Sequence, residues 1–160
     1  MQKKRNSSLK LHSNFIKLAF EQAKINIGST GSNPSVGCIV TKNNTVISSG
    51  FTSFGGRPHA EFNALNKKLD FKNAKLYTTL EPCSHYGETP PCTNIIIKNN
   101  IKKVFFSIYD TDIRSYTKSV KIFKKNKILI NKGIAEDFAK VFYQSYFSSK
   151  NKNLPIIDAK

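Results

Sequence analysis

Pro58-His59-Ala60-Glu61, Thr78-Thr79-Leu80-Glu81-Pro82-Cys83 and Pro90-Pro91-Cys92 decide how this 160-residue chain folds. Each segment stands where one element gives way to the next. Proline suits a helix start, where its missing N–H costs little, so Pro58 puts His59 at or before the first turn of a helix over 60–68. Pro90 and Pro91 likewise put Cys92 at the head of a helix over 93–98. Residues 76–80 are β-prone and run straight into Glu81-Pro82-Cys83. Two helix starts and one strand end then converge at the carboxyl edge of a sheet, where open α/β folds place ligands.

The flanking sequence supplies that sheet. From Ser13, read as an N-cap, Ile16, Ala19, Phe20, Ala23 and Ile27 recur at helical spacing, and 28–34 breaks the helix. Runs 36–41 and 46–51 read as a hairpin turning through Asn43-Asn44. A strand over 104–109 with Phe105 and Phe106 buried, a helix over 117–125, a strand over 128–130 and a helix over 135–147 complete the alternation. This predicts one α/β domain, a three-layer α/β/α sandwich around a central mixed sheet of about five strands. The domain spans 11–147, between a disordered basic arm at 1–10 and a C-terminal tail or linker stub at 148–160.

Composition narrows the setting. The chain carries 26 Lys and Arg against 10 Asp and Glu, a net charge of +16. The lysines are scattered among asparagines, so a dedicated nucleic-acid surface is not expected, while a small phosphorylated substrate would be drawn in. Cys83 and Cys92 lie beside prolines, and Cys38 sits in the apolar run Val36-Gly37-Cys38-Ile39-Val40, which leaves no disulfide scheme and implies a reducing, cytoplasmic setting. No run is long enough to cross a membrane, and the N-terminal stretch lacks a signal-peptide pattern.

His59, Cys83 and Cys92 are ligands that zinc favours, and a catalytic zinc usually has three protein ligands with the fourth position left to water. Glu61 is then the spare carboxylate. Hydrolytic deamination of a nucleobase needs such a carrier, because a proton leaves the attacking water while ring nitrogen and departing amine gain protons. His85 as a fourth ligand of a closed, structural zinc stays open.

With this motif, the chain resembles the cytidine-deaminase-like superfamily. The longer segment between the cysteines, Ser84-His85-Tyr86-Gly87-Glu88-Thr89-Pro90-Pro91, with Thr78-Thr79-Leu80-Glu81-Pro82-Cys83 before it and Asn33-Pro34-Ser35-Val36-Gly37-Cys38 upstream, is similar to the deaminase domain of bacterial riboflavin-pathway diaminohydroxyphosphoribosylaminopyrimidine deaminases. The likeness covers about residues 13–147 and implies a cytidine-deaminase-like fold, one Zn2+ per chain and hydrolysis of 2,5-diamino-6-(5-phosphoribosylamino)pyrimidin-4-one. It also implies His59, Cys83 and Cys92 as zinc ligands, Glu61 as proton shuttle, and Asn33 and His85 as substrate contacts, Asn33 being otherwise readable as a turn residue.

Many members carry a fused NADPH-dependent reductase. None is expected here, so no NADPH is expected and a separate reductase becomes a partner; Leu154-Pro155-Ile156-Ile157 is similar to the segment that opens that domain. Small deaminases of the superfamily pair subunits around the site, which implies a homo-oligomer. Three departures bear on the substrate: Thr52 where relatives have a pocket histidine, Glu88 where they have Lys or Arg, and Asp110-Thr111-Asp112-Ile113 in place of Asp-Pro-Asn-Pro. A carboxylate at 88 would repel an anionic substrate. An RNA adenosine deaminase and a non-catalytic, deaminase-like zinc-binding subunit are the competing readings.

Overall fold

The computed structural model describes the backbone of residues 2–152 and the side chains of residues 6–150. In chain order the elements are α1 (Gln2–Ala23), β1 (Gly37–Lys42), β2 (Thr45–Phe51), α2 (Ala60–Leu65), β3 (Lys75–Leu80) and α3 (Cys92–Lys98). They continue with β4 (Lys103–Ile108), α4 (Lys118–Lys125), β5 (Leu129–Lys132), α5 (Glu136–Phe142) and α6 (Gln144–Lys152). The strands form one five-stranded sheet in the order β2-β1-β3-β4-β5. β1 runs antiparallel to both neighbours, and β3, β4 and β5 are parallel, so the sheet is mixed as expected.

The hairpin forms because asparagine tolerates left-handed backbone. Asn43 and Asn44 have φ of 51° and 62°, the two-residue turn whose twist matches that of the flanking strands, and Lys42 faces Thr45 across it. Register then sorts the two faces. Gly37, Ile39, Tyr77 and Phe105 share one face with α1 and α5, where Phe15 packs 5.0 Å from Tyr77 and the Tyr143 hydroxyl meets Thr79. Cys38, Val40, Leu76 and Val104 share the other, against α2 and α3. Phe105 and Phe106 point to opposite faces and both are fully buried, so helices cover the sheet on both sides.

Two glycines set how closely the layers approach. A Cβ on Gly37 would stand 1.8 Å from the Ala19 carbonyl oxygen of α1, and one on Gly50 would stand 2.4 Å from the Ala60 oxygen and 2.5 Å from the Ala64 nitrogen of α2. Both helices thus lie backbone-to-backbone on the sheet. Ser48 fastens α2 further by donating to the Ala64 carbonyl at 2.6 Å.

The structure departs from the sequence reading at both ends. Residues 2–10 are the first turns of α1, not a disordered arm, so Ser13 is not an N-cap. Gln, Lys, Arg and Leu favour helix, and the helix is anchored where His12 reaches the Tyr77 hydroxyl at 2.8 Å and packs 4.3 Å from the Phe105 ring. Burial and the charges of Lys75 and Lys103 lower the pKa of this histidine, which serves as a hydrogen-bonding core group. The expected helix over 135–147 is two helices meeting at Tyr143, and α6 runs through residues 148–152 that read as tail. The segment 154–157 lies outside the described residues.

Gly50→Ala tests the seating of α2. Its new methyl meets backbone that has no room to yield, so the variant should lose about 2 kcal/mol or more, read as a lower thermal midpoint, with zinc uptake impaired in parallel.

Candidate active site

His59 is the N-cap of α2, in extended backbone (φ −71°, ψ 161°), and Pro91 is the N-cap of α3, so Cys92 is that helix's first residue. Cys83 follows the end of β3 by three residues. These placements bring His59 Nδ1 to 3.6 Å from Cys83 Sγ and 3.5 Å from Cys92 Sγ, with all three donor atoms within 4.8 Å of one another. Zinc bonds of roughly 2.05 Å to nitrogen and 2.3 Å to sulfur at tetrahedral angles would make an N···S edge of about 3.6 Å. The donor set therefore fits zinc in both chemistry and spacing.

Proton affinities follow from the crowding. Hydrogen bonding to Cys92 and His59 lowers the pKa of the Cys83 thiol against the effect of burial, and the Cys92 backbone N–H also donates to its sulfur at 3.2 Å. The Cys92 thiol is pushed up by its bond to Cys83, by burial and by Glu61. His59 is raised by its contact with Cys83. Glu61 is 3 % exposed, and burial, then the Cys83 charge, raises its carboxyl. Its Oε2 lies 3.3 Å from Cys92 Sγ and its Oε1 3.5 Å from Thr78 Oγ1.

Two of the donors, His59 and Cys83, open onto a cleft. Asn33, Thr52 and His85 line it with His59, Glu61 and Cys83. Asn33 sits in a turn closed by Thr30 Oγ1 donating to its carbonyl at 2.7 Å. That turn is tied down on three sides. Ser35 donates to Ala23 O at 2.6 Å, Tyr143 donates to Ser35 O at 3.1 Å, and Thr52 donates to Pro34 O at 3.1 Å while accepting from Val36 N at 2.9 Å. The Thr52 hydroxyl is therefore spent on holding the turn. His85 engages Ser115 Oγ through Nδ1 at 3.0 Å, and burial and Arg114 lower its pKa.

Glu88 does not belong to the lining. It is 82 % exposed and pairs with Arg57 Nε at 3.1 Å, while Arg57 itself lines the cleft. Asp112 does line it and is locked to Arg114, whose hydrogen bonds hold the carboxyl down at about 2.

Several groups of the site were invisible in local spacing. Glu81 accepts from Ser119 Oγ at 2.6 Å and Thr117 N at 3.1 Å, stapling the loop before α4 to the ligand-bearing segment. Asp110 meets the Tyr146 hydroxyl at 3.4 Å, and burial raises both groups. These pairs span 36 residues or more. Arg57 also lines the cleft, and its place two residues before His59 was a usable signal.

A profile of the cytidine and deoxycytidylate deaminase zinc-binding region matches residues 9–108. The chain belongs to that zinc-binding deaminase family. Within it, the chain is 33% identical over 142 residues to a diaminohydroxyphosphoribosylamino-pyrimidine deaminase of Buchnera aphidicola, covering 88% of this chain and 97% of that one. It is 36% identical over 148 residues to the riboflavin biosynthesis protein RibD of Aquifex aeolicus, covering 92% of this chain but 42% of the relative. A Thermotoga maritima diaminohydroxyphosphoribosylaminopyrimidine deaminase/5-amino-6-(5-phosphoribosylamino)uracil reductase superposes with a TM-score of 0.87 at 35% identity, covering 92% of this chain and 43% of that one. The chain thus spans about two-fifths of these two longer relatives. Among the described residues no helix is long and apolar enough to cross a membrane.

Cys83→Ala removes one of three donors. Metal analysis of the purified variant should find zinc reduced to a small fraction of that in the parent protein, with the helices retained by circular dichroism.

Proposed function

We propose that this chain is a zinc-dependent pyrimidine deaminase that converts 2,5-diamino-6-(5-phosphoribosylamino)pyrimidin-4-one and water to the pyrimidinedione and ammonia, a step of riboflavin biosynthesis. The reading rests on one observation above all: His59 Nδ1 stands at tetrahedral-edge distance from two sulfurs, with the buried carboxylate of Glu61 3.3 Å from one of them. The likeness to the diaminohydroxyphosphoribosylamino-pyrimidine deaminase of Buchnera, which this chain spans almost end to end, supports the substrate.

His59, Cys83 and Cys92 would hold one zinc ion, which when bound lowers the pKa of water to about 7. Glu61 takes a proton from the attacking water and passes it to the ring nitrogen beside the amino-bearing carbon. A second proton through the same carboxylate leaves with the amine as ammonia, and the ring carbon becomes a carbonyl. Burial suits Glu61 to this work, because desolvation raises its carboxyl above the ordinary value and so makes it a stronger base. The Asn33 amide offers a donor and an acceptor to the ring edge. His85, with Nδ1 engaged by Ser115, keeps Nε2 for the substrate.

Zinc-loaded protein mixed with the phosphoribosylaminopyrimidine should release ammonia with a matching absorbance change. Ammonia from a wobble-position adenosine in transfer RNA, with none from the pyrimidine, would transfer the assignment to RNA. Glu61→Gln should keep its zinc and lose turnover by about 10²–10⁴-fold; a Glu61→Gln enzyme with normal turnover removes the carboxylate from the mechanism.

A further inference from the structure

The cleft is lined by three permanent cations, Arg57, Arg114 and Lys150, and they are not equivalent. Arg114 is committed to Asp112, with Nε 2.9 Å and 3.1 Å from the two carboxylate oxygens and Nη2 2.5 Å from Oδ2. Lys150 lies over the Tyr146 ring, 5.6 Å from its centroid. Arg57 differs from both. Its Nη1 donates to Thr89 Oγ1 at 3.2 Å on the cleft side, while its Nε pairs with Glu88, a carboxylate outside the lining and 82 % exposed. A partner that solvated holds its arginine weakly.

The same guanidinium approaches the ring of His59. Arg57 Nη1 is 3.5 Å from His59 Nε2. When Nδ1 faces a metal, Nε2 carries the ring's proton and cannot accept, so this approach sets two donors side by side. An anion entering the cleft there would meet the planar guanidinium of Arg57, whose N–H donors suit phosphate, with the Thr89 hydroxyl beside it. The spot also lies on the far side of the imidazole from the metal-binding nitrogen, as fits a group at the distal end of a substrate whose reacting carbon is at the metal.

We propose that Arg57, assisted by Thr89, is the phosphate-binding residue of this cleft, and that Glu88 is its exchangeable counter-ion, displaced when a phosphomonoester binds. The assignment rests on the deaminase reading for its substrate. It also removes the difficulty posed by a carboxylate at position 88: Glu88 meets Arg57 from outside the lining, as a solvated counter-ion that a phosphomonoester can replace, and does not confront the substrate inside the cleft.

Two arms test it. In the first, deamination of the phosphoribosylaminopyrimidine is compared with that of its dephosphorylated riboside. Arg57→Gln should raise KM for the phosphorylated compound by about tenfold to a hundredfold with kcat little changed, leave KM for the riboside unchanged, and recover in part as Arg57→Lys. Glu88→Gln should lower KM for the phosphorylated compound about threefold. In the second arm, ribose 5-phosphate is titrated into the zinc-loaded protein by calorimetry. Wild type and Glu88→Gln should bind it, and Arg57→Gln should not, with the zinc content of all three equal.

Equal losses on both substrates, undiminished ribose 5-phosphate binding by Arg57→Gln, or zinc lost from that variant would overturn the proposal. If neither pyrimidine is deaminated by wild type, the deaminase reading fails, while loss of ribose 5-phosphate binding in Arg57→Gln would still uphold the phosphate subsite.

Discussion

Three donor atoms on three separate elements must stand within a few ångströms of one another, and everything else about this fold serves that requirement. His59 and Cys92 arrive on the starts of α2 and α3, and Cys83 arrives just past β3. Their spacing is only as good as the seating of those elements. α2 lies so close to the sheet that Gly50 has no space for a Cβ, and α3 is tied to the strand end through Thr93 N donating to Cys83 O at 3.2 Å. Prolines before each ligand keep the helices from starting earlier, so the ligands stay at the open edge.

Electrostatics distinguishes the cleft from the rest of the molecule. Four of the chain's 10 acidic residues, Glu61, Glu81, Asp110 and Asp112, line a single cleft in a protein of net charge +16. A groove evolved for polyanions would concentrate cations instead. Here the acids have assigned tasks. Glu81 and Asp110 fasten the loop before α4, Asp112 fixes Arg114, and Glu61 alone stands against the metal ligands. The net positive charge of the chain favours the approach of a small anion.

Much was legible along the chain. The helix starts at Pro58 and Pro91, the Asn43-Asn44 hairpin and the doubly covered strand at Phe105-Phe106 follow from proline, asparagine and apolar pattern acting over a few residues. The ends were misread for a related reason. A polar run such as 2–10 has no apolar stripe to announce it, and its helix is held through His12 on a strand 65 residues away. The pairing of position 88 with an arginine 31 places earlier was not legible either, because it is a contact between two loops.

The chain alone offered the candidate ligand types, a nearby carboxylate and the element boundaries that carry them, because ligand chemistry and helix starts are written in short-range residue choice. Only the tertiary structure decided which groups face the cleft and which are spent on holding it. Those outcomes depend on contacts between residues tens of positions apart, and no local spacing encodes the direction in which a side chain turns once its element has docked.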